Sequence, residues 1–76
     1  MLTPSQSRAA RGLLDWSQDE LATRSNLSES TIRNFEKGRA QPSVNNLAAV
    51  RAALESAGVQ FIPENGGGPG VRLARK

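Results

Sequence analysis

The sequence contains no cysteine and no histidine, and its aromatic residues are limited to one tryptophan and two phenylalanines. The absence of cysteine excludes disulfide bonds and thiolate metal sites, and it fits a reducing compartment. The absence of histidine removes the commonest general base and the commonest metal ligand. We therefore expect neither a bound metal ion nor a cofactor.

Long apolar runs are also missing from the chain. No stretch approaches the roughly 18 to 20 apolar residues that a membrane-spanning helix requires. The first residues, MLTPSQSRAAR, lack the apolar segment of a signal peptide. The sequence therefore predicts a soluble protein of the cytoplasm.

Motifs of catalysis are absent as well. The chain has no phosphate-binding G-x-x-x-x-G-K sequence, and the glycines at 66–70 lack the strand-then-helix context of a nucleotide-binding loop. The adjacent carboxylates Asp19 and Glu20 are explained by the first turn of a helix, where negative charge is favourable. A chain of 76 residues has little volume for a catalytic cavity, so we expect no enzymatic activity.

Positive charge is in modest excess. Ten Lys and Arg residues stand against seven Asp and Glu residues, which gives a net charge of +3 and a pI near 10.7. Such an excess indicates nucleic acid or an acidic surface as a partner only weakly. The distribution of the charges along the chain is more informative than their sum.

Capping residues predict four helices within residues 1–58, which form one domain. Thr3, Pro4 and Gln6 supply an N-cap, a first-turn proline and an N3 acceptor, so the first helix should run from Pro4 to about Leu14. Ser17 begins the second helix in an S-x-x-E pattern. The later helices follow the N-caps Ser28 and Ser43.

The second and third helices have the spacing of a helix-turn-helix, over about residues 17–38. Their N-caps lie eleven residues apart, which after a helix of about eight residues leaves a turn of only three or four residues. Asn26 stands where the chain must reverse, and Asp15 holds the same place after the first helix. Both residue types tolerate the left-handed conformation that such turns use.

Residues 59–76 have a different pattern. The run VQFI at 59–62 is β-prone and is stopped by Pro63, and VRL at 71–73 alternates after the loop ENGGGPG. This tail is either disordered or a short β segment or hairpin, which would pair across a dimer or lean on the helices, because a lone hairpin is marginal in water. The alternation leads us to predict homodimerisation through residues 59–73.

The ordered set of motifs resembles the lambda-repressor-like (Cro/XRE) family of helix-turn-helix DNA-binding proteins. The resemblance spans roughly residues 5–57 and is carried by WSQDELA, LSESTI and FEKG, then by Pro42, Ser43 and Leu47. It implies an all-α, four-helix DNA-binding domain. Family members commonly have glycine at the positions of Asp15 and Asn26. The family's usual fifth helix is replaced here by residues 59–73, so its dimer surface cannot be carried over.

The third helix has two chemically different sides. At about 100° per residue, Ile32, Phe35 and Glu36 fall on the side of the core. The other side presents Ser30, Arg33, Asn34 and Lys37. A solvated surface is the ordinary explanation, but an α-helix also fits the major groove of DNA, where hydroxyl, amide and guanidinium groups read base edges and phosphates.

The predicted DNA-binding residues are Gln18, Glu29, Ser30, Thr31, Arg33, Asn34, Lys37 and Arg39. Arg33, Lys37 and Arg39 form a basic patch suited to phosphates. Glu29 is interpreted either as an acceptor for a cytosine amino group or as a favourable charge at the helix start. Composition alone favours an ordinary surface role for Gln18, whereas the resemblance implies that Gln18 contacts a phosphate.

A carboxylate at Glu36, on the core side, needs a partner. The resemblance implies Arg11 as that partner, in a structural ion pair that orients the first and third helices. The alternative is an exposed Glu36 without a partner. Trp16 is assigned to packing beside Leu13 and Leu21 rather than to base stacking, because it precedes the second helix in a hydrophobic-staple position.

The sequence therefore predicts a sequence-specific transcriptional regulator that binds double-stranded DNA as a homodimer, with repression as the favoured mode. The alternative is an antitoxin-like or adaptor protein that uses residues 59–76 to bind a partner protein. A tail that is disordered on its own would favour this alternative.

Overall fold

The computed structural model describes residues 2–63 and 66–74. Its elements are α1 Pro4–Leu14, α2 Gln18–Ser25, α3 Glu29–Glu36, α4 Val44–Ser56, β1 Val59–Ile62 and β2 Gly70–Leu73. The predicted four-helix fold with a C-terminal hairpin is confirmed. Glu64 and Asn65 of the predicted loop, and residues 75 and 76 of the predicted tail, lie outside the described residues. Within the described ranges, no helix combines the length and the apolar character needed to cross a membrane.

Each helix begins at the hydroxyl residue that the sequence indicates. The side chains of Thr3, Ser17, Ser28 and Ser43 each accept a hydrogen bond from a backbone amide in the first turn of the helix that follows. In α1 the Gln6 side chain also accepts from the Thr3 amide at 3.0 Å, which completes a reciprocal cap. In α2 the Glu20 carboxylate instead accepts from Arg24 Nε at 2.7 Å, one turn along the same helix.

Two left-handed residues end the first two helices. Asp15 has φ 59° and Asn26 has φ 61°. The amide of each donates to carbonyls in the last turn of the helix before it. Asp and Asn adopt this conformation more readily than most non-glycine residues. Gly38, with φ 75°, follows α3 in the same region of backbone space. These three positions set the directions in which α2, α3 and the loop after α3 leave their turns.

The hydrophobic core lies between the helices and the first strand. Its buried apolar residues are Leu2, Ala10, Leu21, Ala22, Ile32, Phe35, Leu47, Val50, Leu54 and Val59. Trp16 packs against this core, and the Arg24 guanidinium stacks 4.8 Å from the centre of its ring. The expectation that Leu13 packs beside it is wrong, because Leu13 is 42% exposed. Leu14, which shares a helix face with Ala10, packs against the core instead.

The C-terminal hairpin leans on helices of its own chain. Antiparallel pairing places Val59, Phe61, Val71 and Leu73 on one face of the hairpin. Val59 is buried in the core, and Phe61 and Val71 pack against it. The Gln6 side-chain amide donates to the Gly70 carbonyl at 3.1 Å, which ties β2 to α1. Of the arrangements predicted for the tail, the described residues therefore show the hairpin supported by the helices.

Glu36, the last residue of α3, is a buried carboxylate that contacts two other helices. From α1, Ser7 Oγ donates to its Oε2 at 2.6 Å, and the Arg11 guanidinium donates to both oxygens at 2.7 to 3.1 Å. From α2, the Gln18 amide donates to Oε1 at 3.2 Å. The Arg8 guanidinium donates to the Glu36 backbone carbonyl. One residue therefore joins α1, α2 and α3, and Arg11 and Glu36 form an ion pair.

These contacts decide the charge state of Glu36. Burial by itself raises the pKa of this carboxyl group, but the hydrogen bonds from Arg11, Ser7 and Gln18 and the positive charge of Arg11 outweigh it, so the pKa lies below its usual value. A lowered pKa in the folded state means that the ionised carboxylate stabilises the fold above the unfolded-state pKa. That contribution is lost as the pH falls through the folded-state pKa.

We predict that Glu36→Gln lowers the free energy of unfolding by about 3 to 5 kcal/mol, because the largely buried Arg11 loses its anionic partner. Thermal unfolding followed by circular dichroism should show a much lower midpoint. The loss of stability in acid that arises from Glu36 should also disappear. The matched control is Glu55→Gln, because Glu55 pairs with Arg51 at 3.0 Å on the surface, where such pairs contribute little. Equal midpoints for the two variants would contradict this account.

Candidate nucleic-acid interface

The buried side of α3 fixes which of its residues face outward. Ile32 and Phe35 are 0% and 1% exposed, so the helix cannot rotate about its axis without exposing large apolar side chains. Glu36 is also buried, and the remaining residues of α3 lie outside the core. Glu29 and Ser30 are exposed, and Thr31, Arg33 and Asn34 are partly exposed. The core thus presents a polar surface in one defined orientation.

Hydroxyl groups cluster at the first turn of α3. Ser28 Oγ accepts from the Thr31 amide at 3.2 Å and lies 2.8 Å from Thr31 Oγ1 and 3.2 Å from Ser30 Oγ. The cap residue therefore holds both neighbouring hydroxyls. Each hydroxyl has one proton and two lone pairs, so Ser30 and Thr31 keep hydrogen-bonding capacity for an outside partner.

A carboxylate and a guanidinium lie side by side on the outer surface of α3. Glu29 Oε1 and Arg33 Nη1 are 3.6 Å apart, and the two side chains are about half exposed, at 48% and 42%. Their i,i+4 spacing, with the acid nearer the N-terminus, is the favourable order for a helix. The pair leaves Arg33 accessible and places one negative charge among the cations.

The loop after α3 is held by the backbone of Asn34. The Asn34 carbonyl accepts from the Arg39 amide at 2.9 Å and from the Ala40 amide at 3.4 Å. This folds the loop back toward α3 after Gly38. Lys37 and Arg39 are both exposed at this end of the helix. A backbone acceptor carries no signal in the sequence, so this second role of Asn34 was not predicted.

Gln18 is the first residue of α2 and faces the end of α3. Its side-chain amide nitrogen donates to Glu36 Oε1 at 3.2 Å, and the residue is partly exposed. A carboxamide has two N–H groups and an oxygen, so one contact leaves a second N–H and the oxygen for another partner. Gln18, which the sequence predicts to contact a phosphate, therefore hydrogen-bonds the same Glu36 carboxylate that joins the three helices.

Arg8 is a residue of this region that the sequence analysis missed. Its guanidinium donates to the Glu36 carbonyl at the end of α3 and, through Nη2, to Ser5 Oγ at 3.1 Å. A positive charge is favourable at a helix C-terminus, where carbonyls are unsatisfied. The sequence feature that could have indicated this contact is the position of Arg8 one helical turn before Arg11 on α1.

This surface offers hydrogen bonding and charge. The predicted DNA-binding residues on it combine two hydroxyls, two carboxamides, three cationic side chains and one carboxylate. In the part of the chain that the structure describes, no group of three or more His, Cys, Asp or Glu residues could hold a metal ion. Hydroxyl, amide and cationic groups on an exposed helix are those that read base edges and bind phosphates.

Comparison with known proteins agrees with this geometry. The family model described as helix-turn-helix matches residues 8–57, which is more than half of the chain and includes α2, the turn and α3. A comparison with curated proteins finds no match. The hairpin lies outside the matched range. With four capped helices, the short turn at Asn26 and the polar outer side of α3, the chain belongs to the lambda-repressor-like Cro/C1-type helix-turn-helix family of DNA-binding regulators.

Proposed function

We propose that the protein is a sequence-specific transcriptional regulator of the cytoplasm, acting as a repressor, that reads the major groove of double-stranded DNA with α3. The observation that carries this proposal is the fixed orientation of α3. Ile32, Phe35 and Glu36 are buried at 0%, 1% and 1% exposure, so the polar side is held outward. A helix presented in this way fits the width of the major groove.

The residues of the interface have different roles in this proposal. Ser30, Thr31, Asn34 and Glu29 face base edges, because their side chains lie on the first two turns of α3, where hydrogen-bonding groups discriminate between bases. Arg33, Lys37 and Arg39 bind phosphates or guanine. Gln18 binds a phosphate from the start of α2, where backbone amides are also free. Arg11 and Glu36 are structural.

The hairpin formed by β1 and β2 supports this function over the alternative adaptor role. A segment that folds only with its partner protein is disordered alone. Here Val59 is 3% exposed and belongs to the core, and Gln6 bonds the Gly70 carbonyl. The hairpin therefore has supporting contacts within its own chain.

Titration against mixed genomic DNA fragments at two salt concentrations tests DNA binding directly. If Lys37 and Arg39 each contact a phosphate, the affinity of one domain should fall roughly 12-fold between 50 and 200 mM salt, from a slope of about 0.9 per contact. Fluorescence anisotropy measures this change. Binding that does not depend on salt, or no binding at 50 mM salt, would refute the proposed function.

Asn34→Ala and Lys37→Ala should have different effects. Asn34→Ala keeps the backbone carbonyl that holds the loop and removes a base-reading amide, so it should reduce the preference for the specific site by about 1 to 3 kcal/mol. Lys37→Ala should weaken binding to all sequences alike and lower the salt slope by about one. Affinities for the selected site and for unrelated DNA measure both. Equal effects of the two variants on both DNAs would contradict this division.

We further propose that the protein forms a homodimer through residues 59–73. One domain of this size buries little DNA surface, and a dimer would bind two half-sites about 34 Å apart. Leu73, the last residue of β2, supports this surface because it is a large apolar residue that is 46% exposed.

Sedimentation at tens of micromolar should give a dimer for the wild type and a monomer for Leu73→Glu. The control is Val44→Glu on α4, because Val44 is 77% exposed and lies outside the hairpin. The control should remain dimeric, since the change adds the same charge elsewhere. A monomeric wild type at these concentrations would contradict the proposed interface.

A further inference from the structure

The Glu29 and Arg33 pair places an acceptor beside a donor on the outer surface of α3. Their charged atoms are 3.6 Å apart, and both side chains are about half exposed. The distance exceeds that of a hydrogen bond, so the two groups are neighbours without being locked together. Each retains lone pairs or N–H groups that point away from the other.

A C·G base pair presents the opposite arrangement in the major groove. Cytosine offers its N4 amino group as a donor, and guanine offers O6 and N7 as acceptors. The cytosine amino group and guanine O6 are hydrogen-bonded to each other, so they lie about 3 Å apart. The spacing between the carboxylate and the guanidinium therefore matches the spacing between the groups that they would bind.

We propose that Glu29 and Arg33 act as one unit that reads a C·G base pair, with Glu29 accepting from the cytosine amino group and Arg33 donating to guanine. This inference rests on the proposed function and adds a specific base pair to it. Arg33 also offsets the negative charge of Glu29, which phosphates would otherwise repel. Glu29 thereby narrows the DNA sequences that the protein binds. Arg33 supplies binding affinity that offsets the repulsion between Glu29 and the phosphates.

The other three base pairs fit this unit less well. The reversed pair, G·C, places acceptors against the carboxylate, and T·A places thymine O4 there. An A·T pair offers the adenine amino group to Glu29. On its other strand, however, thymine presents one acceptor and a methyl group, so the guanidinium loses its second acceptor.

Selection of bound fragments from a random DNA pool tests the proposal with three proteins. These are the wild type, Glu29→Gln and the matched control Glu55→Gln. Glu55 is also an exposed acid in an i,i+4 ion pair, but it lies on α4, so its replacement makes the same change in net charge away from α3. Glutamine pairs with adenine through N6 and N7. We expect Glu29→Gln to change one position of the selected site from C to A, while Glu55→Gln selects the wild-type site.

Competition binding with duplexes that differ only at that base pair gives the magnitude. The wild type should prefer C·G over each other pair by roughly tenfold or more, and Glu29→Gln should lose this preference. If the wild type selects a site and Glu29→Gln selects the same one, the base-pair assignment is overturned and the proposed function stands. If no protein enriches DNA or binds with salt dependence, the proposed function fails and the assignment fails with it.

Discussion

The orientation of α3 depends on a carboxylate that is buried at the end of that helix. Taking a charge out of water costs several kcal/mol unless it is paired and hydrogen-bonded. Glu36 meets both conditions, because Arg11 neutralises its charge and Ser7 and Gln18 occupy its remaining acceptor sites. Apolar contacts from Ile32 and Phe35 keep α3 from rotating out of the core, but such contacts are non-directional. The ionic hydrogen bonds of Glu36 add directional contacts to α1 and α2 at the end of the helix.

Local interactions and long-range contacts determine different parts of the fold. Caps and left-handed turns act within three or four residues and set where each helix begins and ends. Long-range contacts then decide how the helices meet. The hairpin belongs to the second kind, because two strands of four residues are marginal alone. Val59 in the core and the bond from Gln6 to the Gly70 carbonyl supply the missing support. The two strands of the hairpin are therefore supported by the helices that they contact.

This division also explains which features the sequence could predict. The helix starts, and the turns at Asp15 and Asn26, depend on local chemistry and were predicted correctly. The choice between Leu13 and Leu14 depended on the rotation of α1, which adjacent apolar residues leave open. The contact between Gln18 and Glu36 joins positions 18 residues apart and has no local signal. The same is true of backbone acceptors, such as the Asn34 carbonyl that holds Arg39 and the Glu36 carbonyl that binds Arg8.

Gln18 connects the interior of the domain to its outer surface. One of its amide N–H groups is held by Glu36, and the partly exposed side chain keeps a second N–H and an oxygen. A side chain that is already ordered loses less conformational entropy when it binds a ligand. The same carboxylate that orients α3 from within therefore also orients the first side chain of α2. In the proposed complex, side chains of α2 and α3 contact DNA in a relative position that is fixed before binding. Ordering the interface therefore costs the small domain little free energy.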